Sequence, residues 1–122
     1  MSNIRDFELD QGKSKTIVFS MGTEAGLGMN LAGSDARIQA RRTYGAKADI
    51  NATLMNGQLV WANAVQGKLE WRIADVDTKN IKFDNKDDAV LELVYELEIT
   101  LPNGKVEGPA RGTLILNREV VR

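Results

Sequence analysis

Asp84-Asn85-Lys86-Asp87-Asp88 gathers three carboxylates and an amide within five positions, a donor set of the kind that wraps calcium. A helix-loop-helix calcium loop starting at Asp84 needs an oxygen donor at its third position, glycine at its sixth and glutamate at its twelfth. The chain offers Lys86, Ala89 and Tyr95 there, so the stretch reads as a solvated loop. The glycine run Gly26-Leu27-Gly28-Met29-Asn30-Leu31-Ala32-Gly33 spaces its third glycine too late for a dinucleotide fingerprint, has no strand-helix-strand setting, and has no Lys-Ser/Thr pair to hold a phosphate. It reads as a loop. Asp75 with Asp77, and Glu96 with Glu98, are paired carboxylates on faces expected to be exposed. Acid-base catalysis needs burial or a like charge to separate two such pKa values, and nothing in the sequence supplies either.

Arg37, Arg41 and Arg42 lie on or beside one alternating segment with Tyr44 next to them, a set that could grip a phosphate backbone. Nucleic-acid binders carry a basic excess and more interleaved aromatics, so pairing with acids on a neighbouring strand or another subunit is the better reading. Trp61 and Trp71 could stack on sugar rings. Tryptophan in strands of a small sandwich is more often core, and the core reading is preferred here.

The chain of 122 residues contains neither cysteine nor histidine. Disulfides, thiolate sites and thiol nucleophiles are excluded, and any metal would have to be a hard cation held by oxygen. No cofactor or metal is expected, and the two absences weigh against an enzyme. Sixteen basic against seventeen acidic side chains leave a net charge of −1, so no global field favours nucleic acid or an anionic membrane. The charges are unevenly placed. Residues 37–47 carry Arg37, Arg41, Arg42 and Lys47 without an acid, whereas residues 75–98 carry eight acids and three lysines. The start, MSNIRDFELDQGKSK, has charges where a signal peptide has an apolar run, and no apolar stretch is long enough for a membrane helix. A soluble protein without a classical export signal is expected.

The elements that would position these residues are strands. From Tyr95, the residues Tyr95, Leu97, Ile99 and Leu101 fall on one face, with Glu96, Glu98 and Thr100 on the other. Pro102-Asn103-Gly104 turns the chain, and a return strand runs from about Lys105 to Arg118, bulged or at an edge around Gly108-Pro109 and Gly112. Upstream, Phe7 and Leu9 form a short strand, Gln11-Gly12-Lys13 a turn, and KTIVFSM a second strand. Ala36 to Thr43 alternates again. Asn51 to Met55 and Gln58 to Ala62 flank Asn56-Gly57, a strong hairpin signal; Lys68 to Ile73 is a further strand and Ala74 to Lys79 one helical turn. Seven or eight short strands with turns every ten residues or so predict a single all-β domain over residues 1–122, an immunoglobulin-like antiparallel β-sandwich.

Several short motifs occur in order along the chain: Gln11-Gly12-Lys13, Asn30-Leu31-Ala32-Gly33, Ala36 to Arg41, Gly67 to Ile73 with Asp77-Thr78, Tyr95 to Leu97, Gly104-Lys105-Val106, and Gly112 to Arg122. Together they resemble the immunoglobulin-like domain at the N-terminus of siphophage upper baseplate proteins, and the small tail proteins built from that domain alone. Glu96 and Val121 depart from the family's usual Asp and Thr.

The resemblance implies a non-enzymatic virion component of a tailed phage, in the baseplate, tail or neck, made in the host bacterial cytoplasm. Its partners would be other phage structural proteins such as fibres, in multiple copies and with a homo-oligomer among the options, without nucleic acid or membrane. Candidate interface residues are Phe7, Arg37, Arg41, Arg42, Tyr44, Arg118 and Arg122, with the Gly22 to Gly33 loop; the basic and acidic segments could meet between copies to close a ring. The alternative is a module recognising host-surface carbohydrate or a receptor through Trp61 or Tyr44, favoured by an exposed aromatic beside a polar groove.

Overall fold

A computed structural model describes residues 3–22, 30–85 and 87–119. The elements are β1 (Asn3–Ile4), β2 (Phe7–Asp10), β3 (Lys15–Ser20), β4 (Asp35–Arg41), β5 (Ala48–Thr53), β6 (Leu59–Asn63), β7 (Lys68–Ile73), α1 (Asp75–Lys79), β8 (Val90–Thr100) and β9 (Val106–Asn117), with a 3-10 turn at Ala64–Gln66. One sheet has the order β1-β9-β8-β4-β5, with β2 also on β9; the other has the order β3-β7-β6. β1 and β2 are successive pieces of one parallel strand on β9, so eight strands build the sandwich.

Alternation puts each strand's apolar side chains into a single core. Leu91, Leu93, Tyr95, Leu97 and Ile99 of β8 face Ile17, Phe19, Leu69, Trp71 and Ile73 from the other sheet, all buried. An immunoglobulin domain keeps strands B, E and D together in one sheet and C, F and G in the other, with C′ joining beside C in the variable type. With β3 as B, β4 as C, β5 as C′, β6 as D, β7 as E, β8 as F and β9 as G, both strand orders are reproduced. The fold is the immunoglobulin-like β-sandwich predicted from the strand spacing.

One local reading changes. Asn56-Gly57 is not a hairpin: β5 and β6 belong to different sheets, and the turn carries the chain across the sandwich. Asn56 holds this corner, its Oδ1 accepting from the N–H groups of Thr53 (3.1 Å) and Gln58 (3.0 Å) while its Nδ2 donates to the Asn51 carbonyl (2.9 Å). Ile50 and Ala52 must enter the core from one side and Leu59 from the other, and that demand overrides the turn's usual pairing. In the same way, the turn at Gln11-Gly12-Lys13 links strands of opposite sheets, β2 on β9 and β3 on β7.

The Pro102-Asn103-Gly104 turn reverses the chain as expected, with Gly104 at φ 88° and its N–H donating to Leu101 at 2.8 Å. The pairing shifts between Leu97 opposite Ala110 and Ile99 opposite Glu107, which places the expected bulge at Gly108-Pro109.

Candidate functional site

At one end of the sandwich, three of the motif segments converge on two buried polar side chains. The Gly12 N–H donates to Thr78 Oγ1 at 2.9 Å, and Gln11 Nε2 donates to the Ile81 carbonyl at 3.0 Å, with longer contacts to the Thr78 and Lys79 carbonyls. The Glu119 N–H in turn donates to Gln11 Oε1 at 3.1 Å. Thr78 is fully buried and Gln11 nearly so, and an inward amide needs such partners to offset lost hydration. Asp77 adds to the same corner, accepting from the Ala74 N–H (2.7 Å) at the start of α1 and from Gln58 Nε2 (3.0 Å). The sequence marked these segments as a turn, a helical turn and a strand end, and linked them only through resemblance. Their role is to fasten β2, α1 and the end of β9 together.

A second constellation joins the N-terminal strand to the core. The Tyr95 hydroxyl donates to the Arg5 carbonyl, and Asp6 Oδ1 accepts from the Thr113 N–H at 2.9 Å. Gly112 lies under this kink, where any Cβ would overlap the Arg5 carbonyl. Burial pushes the Tyr95 phenol up from 10.0 to about 12, opposed by the Arg5 charge and reinforced by Asp6. Phe7, a candidate interface residue, packs its half-buried ring on Phe19 (5.7 Å, edge-on) and on Tyr95 (5.7 Å). Its alternation with Glu8 turns it inward.

The arginines are largely committed within the chain. Arg37 pairs with Glu98 on β8 at 3.1 Å, the neighbouring-strand pairing expected of it. Arg42 bonds Asp49 at 3.4 Å and also engages Asp84 and the Lys82 carbonyl. Two of the basic side chains, Arg37 and Arg42, therefore meet acids of the 75–98 segment inside one chain, whereas Arg41 and Glu96 form no ion pair among the described residues. Arg118 stacks 4.5 Å over the Phe83 ring and donates to the Asn85 carbonyl at 2.9 Å, pinning the Asp84 loop rather than standing free. Asn85 donates to Asp88 across that loop, and Asp84 serves Arg42, so two of its three described carboxylates are engaged within the chain. Arg122 and residues 23–29 of the glycine-rich loop lie outside the described residues.

Tyr44 is different. It is 86% exposed, on a turn held by Arg41 Nη1 donating to the Ala46 carbonyl at 2.7 Å and by the Ala46 N–H donating to Thr43 at 3.1 Å. It borders an open recess of about 200 Å³ whose floor includes Arg37, Gln39, Arg41, Glu96 and Arg111. A second recess, of about 300 Å³ and more apolar, opens beside the bulge between Phe19, Met21, Ile99 and Pro109. Trp71 is buried in the core, its Nε1 without a hydrogen-bond partner among the described residues. Trp61 is half-buried and donates to the Ser34 carbonyl at 3.2 Å. Trp71, being buried, offers no stacking face.

The fold and these surfaces define an immunoglobulin-like sandwich. No family model and no curated protein matches the sequence. Among solved structures, the chain is similar to murine CRIg at 11% identity, covering 93% of this chain and 92% of that one with a TM-score of 0.44. It is also similar to a structure from photo-crosslinking analyses of multimeric cell-adhesive interactions of VGSC beta subunits, at 8% identity, covering 95% and 92%, with a TM-score of 0.47.

Proposed function

We propose that the protein is a non-enzymatic structural component of a tailed-phage virion, in the baseplate, tail or neck, where it acts as an adaptor docking other virion proteins such as fibres. The reading is supported by the convergence just described. Gln11-Gly12, Asp77-Thr78 and the end of β9, on which the resemblance to phage baseplate domains rests, are far apart in sequence yet close one hydrogen-bonded knot. Motifs far apart in sequence that meet at one corner support reading them together as parts of one domain. The adaptor would be made in the host cytoplasm and carried in the particle. Mass spectrometry and immunogold labelling of purified tailed particles from the host test the reading: label at the tail or its tip is expected, and particles lacking the protein would overturn it.

A second reading, recognition of host-surface carbohydrate or a receptor, is favoured by one observation, the exposed Tyr44 ring beside a polar recess. Glycan-array binding lost in Tyr44→Ala would support it, and an array without signal would remove the carbohydrate form.

A further inference from the structure

The outward face of the larger sheet carries charges that form no ion pair within the chain among the described residues. Glu96 and Arg111 stand opposite each other on β8 and β9, both exposed, and neither forms an ion pair among the described residues. Arg41, one strand further out on β4, bonds the Gln39 amide and the Ala46 carbonyl but no carboxylate. On the other flank, β2 points Glu8 outward next to Ile115; Lys15 Nζ donates to its backbone carbonyl at 2.9 Å, but its carboxylate forms no ion pair among the described residues. Val94 and Ile115, both half-buried, lie between these flanks, and Ile4 and Tyr44 border the face at 73% and 86% exposure.

We propose that this face docks on the same face of a second copy about a twofold axis running along the β8 and β9 ladder. Such an axis exchanges β8 with β9 and β4 with the N-terminal strand. Glu96 then opposes Arg111 of the second copy, twice over by symmetry, and Arg41 passes over the acidic strand that bears Glu8. The face is complementary to itself, which is what an isologous contact requires. The four strands that this axis superposes, spaced about 4.8 Å apart, give an area on the order of 500 Å² per copy. That is somewhat below the roughly 800 Å² per partner of a standard interface, so a weak dimer that depends on concentration and salt is expected.

The test is read on the purified protein alone, so it is separate from whether the protein is found in virions. Light scattering from micromolar to about millimolar protein should show mass rising from monomer to dimer, less so at about 0.5 M salt. Glu96→Arg and Arg111→Glu each set like charges against each other and should weaken the dimer at least about tenfold, while the double exchange restores it. Circular dichroism checks that each variant is folded. A wild-type monomer throughout, a closed ring of higher order, or folded single variants that dimerise normally would each overturn the proposal. A monomer whose co-purification with virion proteins is lost in Arg111→Glu would assign the face to a different partner and overturn it as well.

Discussion

The backbone N–H of Gly12 donates to the hydroxyl of Thr78 at 2.9 Å, joining the end of β2 to α1 across 66 residues of sequence. Thr78→Val keeps the shape of the side chain but leaves that N–H without its acceptor in a part-buried site, and should cost about 1–3 kcal/mol. Thr78→Ser should retain most of the stability. Urea unfolding of the three proteins decides; a valine variant as stable as the parent would show that the bond contributes nothing.

Gly112→Ala drives a methyl group into the Arg5 carbonyl and also disturbs the Asp6 contact to Thr113. Because backbone rather than a flexible side chain is in the way, the N-terminal strand must move off β9. Faster amide exchange confined to β1, β2 and the facing part of β9 is expected, ahead of any loss in β3 or β7.

The Tyr95 phenol sits at about 12 in the folded chain and near 10 when unfolded. The unfolded chain therefore loses this proton first. The associated stability is fully present below pH 10 and is lost as pH rises from 10 to 12. Ionisation would also remove the donor to the Arg5 carbonyl. Urea midpoints measured along this range should fall for the parent, and Tyr95→Phe should remove that part of the decline.

Arg37 and Arg42 should respond differently to truncation. The Arg37 side chain is 52% exposed and its single ion pair is screened, so Arg37→Ala should change stability by less than about 1 kcal/mol. Arg42 ties the start of the Tyr44 turn to Asp49, Asp84 and the Lys82 carbonyl, so Arg42→Ala should cost more, about 1–2 kcal/mol, and loosen two loops at once. Equal effects in thermal unfolding would contradict the asymmetry.

Alternation in the sequence determined which residues enter the core. Leu91 to Ile99, Ile17 with Phe19, and Leu69 to Ile73 are buried at every second position as their pattern requires, because a half-buried strand can hide only one face. The turn at Asn103-Gly104 and the bulge at Gly108-Pro109 were legible for a similarly local reason, since glycine at positive φ and proline's missing donor act within a few residues. Which strands pair was not local. The parallel docking of the N-terminal strand on β9, the sheet crossings at Gly12 and Asn56-Gly57, and the inward turn of Phe7 depend on how two layers close over one core. The same limit governed the candidate interface. Sequence could place Arg37, Arg42 and Arg118 near a surface, and Glu96 on an outward face, but only the tertiary structure brought Glu98, Asp84 and Phe83 to those arginines. A charge's partner is set by distance in space, which periodicity along the chain does not encode.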